Sequence, residues 1–276
     1  MRTAHQGVLP GFGLAMGFTL SYLGLIVVIP LVALLCKALA ISPGRLVQTV
    51  FSARALAAYR LSLGAALVGA SINAVCGLLL AWVLQRYAFP GKRLIDGLVD
   101  LPFALPTAVA GVALTSVYAA NGWVGGPLSR LGIDVAYTPL GVIAALTFVG
   151  LPFVVRTVQP VLRELPPEIE EAAASMGAGR LQVFQRLILP ELLPAVATGF
   201  TLALARGLGE YGSVIFIAGN MPGRTEITPL LIMIKLEEYD YEGATAIALF
   251  FLVASFAILL LVNVFSLRGE HRSQRG

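Results

Sequence analysis

Residues 11–36 carry no charged side chain. A helix rises about 1.5 Å per residue, so some 20 apolar residues reach across the ~30 Å hydrocarbon layer of a bilayer. Similar runs recur at 61–85, 98–120, 137–155, 192–219 and 244–265. The fourth, at nineteen residues, sits near the lower edge of the usual length. Hydrophobic residues make up 58% of the chain and charged ones 12%, about half the charge of an ordinary soluble domain. These runs predict an all-α membrane protein with six transmembrane helices in one domain, 1–276. The first run follows a basic start at Arg2 and precedes the small triplet Ala38-Leu39-Ala40. It is too long for a signal-peptide core of about 7–15 residues, so we read it as an uncleaved span.

Six spans place both termini on one side of the membrane. If that side is the cytoplasm, the inner segments hold eleven Lys and Arg residues, including Arg86, Lys92, Arg93, Arg156, Arg163, Arg180 and Arg186. The outer loops hold seven: Lys37, Arg45, Arg54, Arg60, Arg130, Arg224 and Lys235. The excess favours cytoplasmic termini. The same rule accounts for the net charge of +4 without a nucleic acid partner. Cys36 and Cys76 both lie in apolar runs, and two cysteines build neither a disulfide framework nor a metal site. His5 and His271 stand at the two ends and argue against a histidine-centred site.

The loop 156–191 is the one long polar stretch between strongly apolar runs in the second half. Pro166 and Pro167 suit the first turn of a helix. Glu168, Glu170 and Glu171 follow where the helix dipole favours negative charge. Ile169, Ala172, Ala173 and Met176 recur at helical spacing and give one apolar face. Gly177 and Gly179 are expected to end this helix. A second short helix is expected with Leu181, Phe184 and Ile188 on one side and Arg180, Gln182 and Arg186 toward water, closed by Pro190. Two short amphipathic helices suit a hairpin lying on the membrane, a DNA-reading helix-turn-helix, or a docking knob for a soluble partner. The acidic first helix and the membrane at both ends exclude the DNA reading.

Glu171-Ala172-Ala173, Gly177 after three residues, and Leu187, Leu189 and Pro190 after nine more resemble the EAA loop of bacterial ABC-importer permeases. Leu187 replaces the family's isoleucine. The resemblance implies a coupling helix, with Ala178 beside its glycine, that docks in a cleft of the ATP-hydrolysing subunit.

Two places inside the apolar runs invite a pathway reading. The third run opens with Asp100, Pro102 and Pro106, and prolines four apart bend a helix and free its carbonyls. Such breaks are tolerated at membrane depth where protein or a water-filled cavity covers them. A kinked packing helix and a pathway lining both fit. Arg206 and Glu210 sit within the fifth run at i, i+4, beside Tyr211, where an unpaired charge is costly. They form either a self-satisfied structural pair or a cavity-lining site in which Arg206 meets an oxyanion.

No internal repeat of the kind common in secondary transporters occurs. No glycine-rich phosphate loop with Lys and Ser/Thr occurs either, so ATP must be hydrolysed on another chain. Phe89-Pro90-Gly91-Lys92, the stretch DLPFALPTAVAG at 100–111, GEYGSVIFIAGNMP at 209–222 and EITPLLIMIKLEEYDYEGA at 226–244 are similar to T-type permease subunits of bacterial sulfate/thiosulfate importers. Molybdate permeases share the GE-aromatic-G element and the prolines of the third span. The resemblance implies the ABC type I importer permease fold in the bacterial inner membrane. It implies as partners a homologous W-type permease, two ATP-binding subunits that hold ATP and Mg, and a periplasmic or extracellular sulfate/thiosulfate-binding protein. It implies no cofactor in this chain. A molybdate or other oxyanion permease is the alternative within the class, and a non-transporting membrane scaffold the alternative outside it. The acidic loop 220–243 is expected outside, either near the binding protein or simply solvated.

Overall fold

The computed structural model of the protein describes residues 12–273. Arg2, His5 and Arg275 lie outside them, as do the side chains of Arg268, His271 and Arg272. The described residues form helices and no strand. In chain order these are α1 Phe12–Leu39, α2 Pro43–Val50, α3 Ala53–Arg86, α4 Lys92–Val99, α5 Leu101–Ala104, α6 Thr107–Tyr118 and α7 Gly125–Arg130. There follow α8 Pro139–Glu164, α9 Pro167–Ser175, α10 Arg180–Leu208, α11 Gly212–Ala218, α12 Thr228–Glu237 and α13 Tyr241–Ser273. Among the described residues, α1, α3, α8, α10 and α13 are long and apolar enough to cross a membrane.

The third apolar run is not one such helix. It divides into α5 and the twelve-residue α6. Leu105 and Pro106 between them are extended, with ψ of 135° and 132°. Proline pushes its predecessor out of the helical region and has no N–H to continue the ladder. The fifth run divides as well, at Gly209 to Tyr211, leaving the short α11 beyond it.

Pro190 does not close a short helix, contrary to the sequence expectation. The hairpin's second helix runs on through Pro190 and Pro194 as α10. Its turn Phe184–Ile188 is a wider π turn, which gives the proline ring room against the preceding carbonyls. α1 repeats the device, with a π turn at Gly24–Val28 just ahead of Pro30.

The core lies where α3, α8 and α10 pack together. Small residues bring the backbones close, as in lipid, where packing rather than water expulsion drives helix association. Val154 of α8 is wholly buried between two glycines. A Cβ on Gly77 would come within 2.8 Å of its Cβ, and one on Gly199 within 2.7 Å of its Cα. Polar ties fix the opposite edge. Arg54 donates to both oxygens of the buried Glu226 at 2.8 and 2.6 Å. Ser62 accepts from the Thr228 N–H at 2.7 Å. No residue of the first half of α1, Phe12–Leu23, is buried within the chain.

Candidate functional site

The hairpin between α8 and α10 is built on a tight cap. Gly177 has φ +88°, a conformation open to glycine. Ala178 N–H then donates to Ala173 O at 3.0 Å and Gly177 N–H to Ala174 O at 2.9 Å. This is the Schellman pattern that satisfies orphan carbonyls at a helix end. Gly179 plays another part than expected. It is extended, with φ −70°, and its N–H donates to Gln182 Oε1 at 3.0 Å to start α10.

Glu170 anchors the hairpin to the body. Its carboxylate lies 2.7 Å from Arg86 Nη2. The Arg86 guanidinium sits 5.7 Å over the Trp82 ring, and Trp82 meets Phe184 edge-on at 5.4 Å. Of the expected docking residues, Glu171, Ala172 and Gly177 are exposed, Ala178, Leu189 and Pro190 half-buried, and Ala173 buried. Leu187 is exposed, and Ile188 is buried, as its helical spacing from Phe184 predicts. Leu181, expected on the apolar side with Phe184 and Ile188, is exposed, and Val183 is buried in its place. Ile169, Met176 and Leu181 together leave an apolar face open on the hairpin, with Met176 82% exposed.

The other end of α10 carries Arg206 and Glu210. Arg206 Nη2 lies 2.6 Å from Glu210 Oε2. The Glu210 side chain is 1% exposed and that of Arg206 36%. Glu210 Oε1 accepts from Ser213 N–H at 3.0 Å and Ser213 Oγ at 2.9 Å, so it caps α11 from the preceding turn. Both carboxylate oxygens are therefore engaged, whereas Arg206 keeps donors on its open side. Tyr211 is half-buried at the start of α11. The starts of α6 and α11 are packed against each other: a side chain on Gly212 would strike Thr107, and a Cβ on Gly111 would lie 2.5 Å from Ser213 O. Pro106 forms the break just before α6, and Pro102 opens α5.

Asp100 belongs to a cluster not foreseen from sequence. Arg156 of α8 donates to both Asp100 oxygens at 2.8 and 2.6 Å, to Asp96 Oδ1 at 2.7 Å, to Asp96 O at 2.7 Å and to Gln159 Oε1 at 2.6 Å. Gln159 Nε2 also donates to Asp96 Oδ1 at 3.0 Å. Hydrogen bonds from Gln159 and Arg156 hold the Asp96 carboxyl below its ordinary range. Arg156 thus ties the segment leading into the broken run to the end of α8 nearest the hairpin. The partners lie 56 and 60 residues away in sequence, beyond any local spacing rule.

The family described as the binding-protein-dependent transport system inner membrane component matches residues 73–269. The chain belongs to this family. The match begins in α3 and takes in the Arg156 cluster, the hairpin and the Arg206–Glu210 end. Members are membrane components of transport complexes, without a catalytic role of their own. Among similar proteins is the sulfate transport system permease protein CysT of Salmonella typhimurium. It is 49% identical over 272 residues, covering 99% of this chain and 98% of that protein. The protein of the same name from Escherichia coli is 48% identical over 269 residues, covering 98% and 97%. In solved structures the same fold is present in a bacterial ABC transporter that imports the acidic polysaccharide alginate, with a TM-score of 0.76 at 20% identity over 94% of this chain and 96% of that one. The MetNI methionine ABC transporter in an inward-facing form gives a TM-score of 0.54 at 20% identity over 84% and 99%. The fold is that of an ABC importer permease.

Proposed function

We propose that this chain is the permease subunit of an ATP-driven sulfate/thiosulfate importer in the bacterial inner membrane, forming half of the translocation pathway. One observation carries the coupling part of the reading: a single helix, α10, joins the open hairpin to Arg206. The 26 steps from Arg180 to Arg206 span about 39 Å at 1.5 Å per residue, so one continuous helix, with its π turn and prolines near the hairpin end, links the two sites. The near full-length kinship with permeases named for sulfate supports the substrate.

In this reading Glu171, Ala172, Ala173, Gly177, Ala178, Leu187, Leu189 and Pro190 build the knob that seats in an ATP-binding subunit. Asp100, Pro102, Pro106, Arg206, Glu210 and Tyr211 belong to the pathway side. Glu210 holds Arg206 and the start of α11 in place, and the free donors of Arg206 meet the oxyanion. Arginine suits a tetrahedral oxyanion because its planar fork donates two hydrogen bonds at once. The chain crosses the membrane six times, with the broken third run as one crossing and both termini in the cytoplasm. A homologous W-type permease supplies the other half of the pathway, two ATP-binding subunits hold ATP and Mg, and a sulfate/thiosulfate-binding protein delivers the anion from outside. ATP-driven closure of the two nucleotide domains moves the hairpins and alternates access to the cavity.

The test is ATP hydrolysis by the reconstituted complex with its binding protein, titrated separately with sulfate, thiosulfate and molybdate. Stimulation by sulfate and thiosulfate is expected. Stimulation by molybdate alone overturns the substrate, and no stimulation by any anion overturns the transport reading.

A further inference from the structure

α3 and α8 meet along a close seam. A Cβ on Gly69 would lie 3.3 Å from the Leu146 Cβ, and one on Gly77 would lie 2.8 Å from the Val154 Cβ. Between these two places a Cβ on Gly150 would strike Asn73 Nδ2 and come within 3.3 Å of the Ala203 Cβ of α10. The two helices therefore run side by side in one direction. Gly69 stands with Leu146, Asn73 with Gly150 and Gly77 with Val154, each level about one helical turn from the next.

Asn73 is the one polar side chain on these three levels. It is wholly buried, and neither Oδ1 nor Nδ2 has a hydrogen-bond partner among the described residues. Thr147 lies on α8 between the first two levels, with its backbone N 3.4 Å from where a Cβ on Gly69 would stand. Its Oγ1 is buried and equally without a partner. Other helical threonines of this chain are satisfied locally: Thr115, Thr157, Thr198 and Thr201 each donate to the carbonyl four residues before. Buried amides and hydroxyls left unpaired are rare and costly. Here one stands on each side of a tight seam, within about a turn of the other. Pro152, two residues past Gly150, removes a rung from α8 and gives it a place to bend.

We infer that Asn73 and Thr147 are positioning residues of the transport cycle. They are unpaired in the arrangement described here and hydrogen-bond to each other across the seam in the second arrangement, after α8 has shifted along α3 by less than a turn. Packed helices shift on this scale between states. The threonine hydroxyl donates to Asn73 Oδ1 or accepts from Asn73 Nδ2. The pair is thus open at one end of the movement and a stop at the other. α8 leads through Arg156 to the hairpin, and Ala203 stands about a turn before Arg206, so the seam lies between the part that docks and the part that meets the anion. The inference rests on the alternating access of the proposed function and adds to it the contact that holds one of the two states.

The test is a double-mutant cycle on the whole complex with Asn73→Leu and Thr147→Val, which keep the branching and remove the polar atoms. Unfolding temperatures are measured without nucleotide and with a non-hydrolysable ATP analogue. The two changes should add in one condition and fail to add in the other. ATP-driven sulfate uptake in vesicles should fall about threefold in each single variant, the average worth of a hydrogen bond between helices in a membrane. The double variant should also lose about threefold, because either change removes the same bond. Asn73→Ala gives the same cycle if leucine does not assemble against Gly150. Coupling in both nucleotide conditions would mean a permanent structural bond, and coupling in neither would mean no bond; each overturns the inference, as does uptake in both single variants equal to that of the parent. Parent vesicles without sulfate uptake would overturn the proposed substrate and leave the nucleotide-dependent coupling as the test of this inference.

Discussion

The two ends of α10 hold opposite kinds of polar site. At the start, Glu171 and Arg180 lie open without ion-pair partners among the described residues, Glu170 is shared with Arg86, and Met176 and Leu181 face outward. At the end, Glu210 is 1% exposed, with Oε1 accepting from Ser213 and Oε2 ion-paired with Arg206. A surface that docks and releases needs groups left unspent until a partner arrives. A break in a helix within the membrane needs every freed group satisfied on the spot. In the function proposed above, the hairpin serves association and Glu210 holds the broken helix, with Arg206 as its open donor.

Substitutions that act on one end and spare the other sharpen this contrast. The largest effect is expected from Glu210→Ala. It strands Arg206 and uncaps Ser213, and breaking a buried pair costs several kcal/mol. Because Arg206 is partly exposed, about 2–3 kcal/mol is expected, seen as a lower unfolding temperature of the complex in detergent. A loss as small as that of a surface pair would break the contrast. Next comes Gly177→Val. At φ +88° a β-branched residue costs about 1–2 kcal/mol, and faster proteolysis within the hairpin is expected, with the core unchanged. Glu170→Ala should cost at most about 1 kcal/mol, because its pair with Arg86 is partly exposed. Its unfolding temperature should fall less than that of Glu210→Ala.

The smallest effect concerns acid. The Asp96 carboxyl titrates below its ordinary range in the folded protein, so its charged form stabilises the fold. That contribution is fully present above the ordinary carboxylate value near pH 4 and is lost as pH falls through the lowered one. Asp96→Asn should therefore unfold at a lower temperature than the parent at neutral pH and converge with it in strong acid. A gap that stays constant with pH would refute the role.

The apolar runs, the hairpin and its cap at Gly177 were legible because each depends on residues close in sequence. Hydrophobic length, the glycine after Met176 and the acidic first turn are all local signals. Three features were not. A π turn carries no composition mark, so α10 passes through Pro190 and Val183 is buried where Leu181 was expected. The division of the third run hangs on the backbone at Leu105 and Pro106, where sequence indicates a bend and leaves its depth open. The partners of Arg156, Asp100 included, come together through folding of the whole chain. Arg54 and Glu226, 172 residues apart, do the same. The Arg206–Glu210 pair was found from its i, i+4 spacing, but the capping of α11 by Glu210 required the break at Gly209 to be seen.

The most direct measurement is sulfate uptake and ATP hydrolysis in vesicles holding the complex with Glu171→Lys in this chain. The account predicts that uptake is lost and that hydrolysis no longer responds to the loaded binding protein, while the unfolding temperature of this chain stays within the range of a surface substitution. Uptake equal to that of the parent complex would contradict the claim that this hairpin couples the membrane helices to ATP.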